Sequence, residues 1–161
     1  MTQTTGGRTS QQLHDEARTC SLESFLQDDA VDLGLIAVDR ARRDGLPIVI
    51  EVRRLGQIAF RAALGGSRRD SDGWIARKAA VVERFEDSTL AVRVKYEERG
   101  TTFNEASGLS ELDYAAHGGG VPIHVTSVGQ VGALYISGLP QVDDHDFAVA
   151  CIRELGSRRQ G

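Results

Sequence analysis

The chain has 161 residues, of which 40% are hydrophobic and 26% charged, with a formal net charge of −4 and a pI near 5.6. A chain of this length buries about 70% of the surface it exposes when unfolded, so one domain needs no disulfide or metal staple. The acidic balance provides no electrostatic drive toward nucleic acid or an anionic membrane.

Cys20 and Cys151 lie far apart and form no C-x-x-C pattern, which excludes a zinc ribbon and a thioredoxin-type site. The N-terminus lacks the apolar core of a signal peptide, and no stretch is long and apolar enough to span a bilayer, so the expected location is the cytoplasm.

Residues 1–19 are expected to form a largely flexible tail, with a short polar helix over 10–19, followed by a single domain over 20–156 and a C-terminal tail over 157–161. "CSLESFL" reads as an extended lead-in. Asp28 and Asp29 then start a helix whose apolar positions, Ala30, Leu33, Ala37 and Ala41, recur at helical spacing up to Gly45. "LPIVIEVR" and "QIAFRAAL" flank a short turn and predict a β-hairpin over 46–64. Asp70, Ser71 or Asp72 can cap a helix running from Trp74 to about Phe85.

Residues 88–100 carry a strand-like alternation, but Ser88 as a cap and Gly100 as a stop favour a helix. Residues 101–116 read as irregular. A second hairpin, "VPIHVTS" and "VGALYIS", follows, and "DHDFAVACIREL" is a last helix ending at Gly156. Hairpins separated by helices cannot build an all-parallel sheet, so the fold class is α+β, an antiparallel sheet covered by helices.

Lys78 is the most informative position for function. At 100° per residue from Trp74, positions 78, 81 and 85 fall at roughly 40°, −20° and 20°, which sets Lys78 inside the apolar stripe. It is either a snorkelling or paired lysine, or a lysine aimed into a cleft to hold an anion, with Trp74 as an apolar floor. The substitution Lys78→Met separates these: a ligand-serving lysine leaves folding intact, whereas half of a buried ion pair does not. The expectation from sequence is the first outcome.

His117 precedes Gly118, Gly119 and Gly120, a stretch resembling the oxyanion glycines of esterases, yet no G-x-S-x-G elbow accompanies it. The ring either bonds a nearby backbone group or contacts a ligand. His124 points away from Val121, Ile123 and Val125, toward a solvated edge. In "DDHD" the acids suit the positive end of a helix better than a metal, and no metal site is assigned. His145 there is expected to be neutral, able either to ligate haem iron or to donate an N–H to a carbonyl.

Three segments in register, "DSDGWIARKAAVVERF", "YAAHGGGVPI" and "VGALYISGLPQVDDHD", resemble the HbpS-like, or GlcG-type, haem-degrading-domain family. Within it they resemble the branch containing a yeast homologue linked to tail-anchored protein biogenesis. The resemblance covers about Asp28 to Leu155. It implies a profilin-like layered domain with a five-stranded antiparallel sheet, assembling into homo-oligomers from dimers to larger rings, with haem as a possible ligand.

Residue by residue it carries ligand binding to Trp74, Lys78, His117, Gly118, Gly119, Gly120, Gln141, Asp144 and His145. The chain has Ser71 where the branch commonly has Asn, and Val121 where it commonly has Phe, which removes an aromatic wall. Two functions follow: a small-molecule site for haem or another anionic, partly apolar ligand, or a non-enzymatic assembly module, chaperone-associated, whose glycine loops form subunit contacts. With no committed nucleophile, metal triad or nucleotide loop in the sequence, no reaction is assigned.

Overall fold

A computed structural model describes residues 4–160, with the side chain of Gln160 excepted; part of the expected tail, residues 1–3, and Gly161 lie outside the described residues. The elements run α1 (Ser10–Arg18), α2 (Gln27–Arg43), β1 (Val49–Arg54), β2 (Gln57–Ala63), α3 (Asp70–Phe85), α4 (Thr89–Glu98), α5 (Phe103–Ser107), β3 (Gly120–Val125), β4 (Gly129–Ser137) and α6 (Gln141–Gln160). Both hairpins form, and they join through their second-in strands to give the order β2-β1-β4-β3, antiparallel throughout.

The α+β class therefore holds, but the sheet has four strands where five were expected. The lead-in touches the β3 edge only at Leu22, whose N–H donates to the His124 carbonyl at 2.9 Å and whose carbonyl accepts from Thr126. It goes no further because Leu22 and Phe25 are both buried. A three-residue spacing of inward side chains is incompatible with the two-residue alternation of a strand.

Alternation along β1 divides the core between the two faces of the sheet. Ile48, Ile50 and Val52 pack with Leu33, Ala37, Val149 and Ile152 under α2 and α6, whereas Val49 packs with Ile75, Ala79, Val82 and Tyr135 under α3. Helix α2 lies close to the sheet because Gly34 carries no Cβ: one there would overlap the Phe60 ring of β2.

Local signals account for most element ends. Ser88 caps α4 by accepting from Ala91 N–H at 3.1 Å, and Asp29 accepts from Leu26 N–H at the start of α2. At α3 the expected acid caps do not form; the helix starts at Asp70, and Arg69 at its N-cap offers no side-chain acceptor. Helix α6 continues past Gly156 to Gln160, since that glycine packs against Leu22 instead of turning the chain. Ahead of α1 the chain is anchored: Thr5 is buried, and Arg8 makes a two-pronged ion pair with Asp146. Among the described residues no helix is long and apolar enough to cross a membrane.

Candidate functional site

The N-terminal ends of α3 and α6 converge on one cavity of about 440 Å³. Arg68, Asp70, Ser71, Trp74 and Lys78 contribute from the α3 side, and Ser137, Gly138, Leu139, Gln141 and Asp144 from the turn into α6. His117, Pro47 and Gly66 complete the wall. Both helix dipoles therefore direct their positive ends toward this space.

Trp74 stands between two partners. Its ring meets that of His117 edge-on, with centroids 4.8 Å apart, and the Arg77 guanidinium lies 4.1 Å from the indole centroid. Its indole N–H donates to Asp70 at 3.1 Å, which fixes the rotation of the ring. The half-buried His117 has its pKa pushed down to about 4, by burial first and then by the charges of Arg93, Lys78 and Arg77. It is a neutral imidazole at physiological pH.

At the floor, Lys78 Nζ donates to the Ile136 carbonyl at 2.9 Å and to Asp144 Oδ2 at 3.2 Å. The other oxygen of Asp144 accepts from Leu139 N–H at 3.0 Å and holds the turn in place. Both charged side chains are sealed, at 4% and 2% exposure. Burial lowers the Lys78 pKa against the opposing pull of Asp144, and burial raises Asp144 to about 6 despite the nearby ammonium. The two shifts share one cause: each charge is stripped of water and compensated mainly by the other.

This geometry reverses the expectation for Lys78→Met. The lysine is half of a buried ion pair, so methionine leaves the buried Asp144 carboxylate without its cation, and folding will not be spared.

The glycines of HGGG meet protein and not the cavity. A Cβ on Gly118 would overlap the Gln141 carbonyl; one on Gly119, at φ 130°, would overlap the Ile136 carbonyl and come within 2.7 Å of Lys78 Nζ; one on Gly120 would come within 2.9 Å of Val82. All three are buried inside their own chain. The bare backbone is there so that the β3 lead-in can pass between α3 and α6, and it offers no glycine surface to a second subunit.

His145 also lies away from the cavity. It is buried on the far side of α6's first turn, where Nε2 meets Glu16 Oε1 at 2.6 Å. Glu16, His145 and Asp146 each bring a ligand atom within 4.8 Å of the others, but Arg8 already engages Asp146, and the group acts as the clasp that holds α1 to α6. His145 therefore does not face the cavity, and its ring meets a carboxylate where a carbonyl was the expected hydrogen-bond partner.

The structure thus brings together Trp74, Lys78, His117, Gln141 and Asp144 of the expected residues, and leaves out Gly118 to Gly120 and His145. Sequence reasoning missed Arg68 and Asp70 as cavity residues. Their place at the start of the Lys78 helix, Arg68 just ahead of it and Asp70 as its first residue, was the available signal.

The match to the family described as haem degrading protein HbpS-like extends over residues 25–153. The chain belongs to that family. A UPF0303 protein of Streptomyces coelicolor is 44% identical over 144 residues, covering 89% of this chain and 91% of the relative. The solved structure of the Ybr137w protein superposes with a TM-score of 0.85 at 32% identity, covering 92% of this chain and 88% of the other. A PduOC:heme complex superposes with a TM-score of 0.66 at 22% identity over 80% and 93% of the two chains, which shows a shared fold.

Proposed function

We propose that the cavity between α3 and α6 binds a small anionic, partly apolar molecule. The observation that carries this reading is the convergence of two helix N-termini and Arg68 on a space walled by Trp74, the charge of Lys78 being balanced by Asp144. Arg68 would hold the anionic end at the exposed rim, and Trp74 with Leu139 would cover the apolar part.

Haem is one form of such a ligand, supported by the family's description and by the heme complex among the structural neighbours. The residues fit it in kind. The neutral His117 would offer a nitrogen lone pair to iron, and Arg68 a cation to a propionate. Bound haem would supply redox chemistry that the side chains lack.

Haemin added to micromolar protein is expected to shift its Soret band and to quench Trp74, the sole tryptophan, with both responses lost in His117→Ala. An unshifted band removes haem; an unquenched Trp74 with haemin and with smaller aromatic anions removes the cavity reading.

Self-association is also proposed. Strand β2 is an open sheet edge; Ile58 on it and Leu55 in the turn before it are 52% and 70% exposed. Light scattering is expected to give a mass above that of one chain; a monomer overturns this.

A further inference from the structure

The base composition of this chain is lopsided. Of its nineteen Lys and Arg residues, seventeen are arginine, and only Lys78 and Lys95 are lysine. Lys95 is half-exposed and pairs with Asp87 on α4. Lys78 is the one sealed into the floor of the cavity. A guanidinium is the usual choice for a buried ion pair, and it stays protonated in proteins; an amine is the cation that can give up its proton and act as a nucleophile.

We infer that the cavity takes an anionic carbonyl compound, an aldehyde or ketone bearing a carboxylate or phosphate, and that Lys78 captures its carbonyl carbon as an imine with Asp144 moving the protons. The inference rests on the anion-binding reading above and names the class of ligand.

The arrangement of the pair supports each step. Asp144 Oδ2 is 3.2 Å from Nζ and takes one ammonium proton, leaving a neutral amine and a carboxylic acid. The nitrogen lone pair then forms the C–N bond, and the carbonyl π pair moves to oxygen, which takes the proton from Asp144. Nitrogen returns a proton to Asp144, and the same acid protonates the hydroxyl, which leaves as water while the C=N bond forms. Lysine ammonium and carbonyl thus become a protonated imine and water, with no oxidant or reductant.

The product keeps one positive charge on nitrogen beside one negative charge on Asp144, so adduct formation leaves the buried pair balanced. The opposed pKa displacements of the two groups, downward for the amine and up to about 6 for the acid, narrow the gap that the first proton transfer must cross. Lys78 and Asp144 both line the cavity, and Gly119 lets the backbone pass close to Nζ without a Cβ pressing on it from the opposite side.

Pyridoxal 5′-phosphate is a suitable probe: it joins an aldehyde and a phosphate to an aromatic ring. The full-length protein is incubated with it and sodium cyanoborohydride, digested and mapped by mass spectrometry, while Trp74 emission follows binding. The expected result is a reduced adduct on Lys78 in excess of that on Lys95, unchanged in Lys95→Arg and suppressed by pyridoxine 5′-phosphate, which has the same ring and phosphate but no aldehyde. Asp144→Asn is expected to slow labelling at Lys78 at least tenfold. Because mapping is done on the unaltered chain, it does not depend on that variant folding. Saturable Trp74 quenching with no Lys78 adduct overturns the carbonyl inference and leaves the anion site standing; neither quenching nor adduct overturns both.

Discussion

Two carboxylates are buried next to α3, Asp144 in the cavity floor and Glu51 on β1, and they are compensated in different ways. Glu51, 2% exposed, accepts from both Arg53 and Arg61. Those guanidiniums are 22% and 34% exposed and reach on to Glu83 and Asp72. Its charge is spread over a network that keeps its cations wet. Asp144 has a single cation, Lys78, as sealed as itself. Burial has pushed Asp144 up to about 6, while Glu51 sits inside a surplus of donors. A network like that of Glu51 ties strands to a helix; an isolated pair on a cavity wall contributes little net stability and keeps a reactive amine in place.

The largest expected effect breaks the isolated pair. Lys78→Met should lower stability by about 3–5 kcal/mol, because the buried Asp144 carboxylate is left without its cation. Urea midpoints at unchanged slope measure it, and a loss under about 1 kcal/mol would mean that the cation matters little to folding.

Gly119→Ala comes next, at about 2 kcal/mol or more, since alanine at φ 130° is strained and its methyl would press on the Ile136 carbonyl and Lys78. The same urea series applies. A neutral result would show that the turn relaxes and that the close approach is incidental.

Glu51→Gln should cost about 1–2 kcal/mol, because the amide still accepts a hydrogen bond and both arginines reach water. A cost equal to that of Lys78→Met would erase the distinction between the two regions.

The smallest net effect is in pH dependence, because two groups there oppose each other. His117 titrates near 4 when folded and near 6.5 when unfolded, so the unfolded chain binds the extra proton in that window and stability falls as pH drops from 6.5 to 4. Asp144 acts oppositely between 3.8 and about 6, since the folded state there favours its protonated form. Removing the ring in His117→Asn should therefore flatten the loss of thermal midpoint between pH 6.5 and 4. A steeper loss in the variant would contradict the neutral, desolvated ring.

Local chemistry in the sequence was enough for most of the fold. Ser88 and Gly100 bounded α4 correctly against a competing strand alternation, because a cap and a stop constrain the backbone more than side-chain pattern does. The short helix α5 was missed although Thr102 and Glu105 form the T-x-x-E start signal, with the Thr102 hydroxyl accepting from Glu105 N–H at 3.4 Å.

The four strands were legible as two hairpins, and the fifth came only from the family resemblance; the order β2-β1-β4-β3 depends on pairings far apart in the chain, which periodicity does not encode. The cavity was half legible. The helical stripe placed Lys78 beside Trp74, but its partner Asp144 is 66 positions away and reads locally as first-turn chemistry. The glycines and His145 looked alike in sequence as site residues; only packing separates a backbone squeezed between helices from one lining a pocket.

The most direct test of the distinction between the two buried carboxylates is the double variant Lys78→Met/Asp144→Asn, which keeps an acceptor for Leu139 N–H, measured for both urea midpoint and Trp74 quenching by pyridoxal 5′-phosphate. Removing both charges takes away the desolvation cost along with the attraction, so the double variant is predicted to recover to within about 1 kcal/mol of the unaltered protein while saturable quenching is lost. A double variant as unstable as Lys78→Met alone, or one that still binds the probe, would contradict the claim that this pair is kept for a ligand.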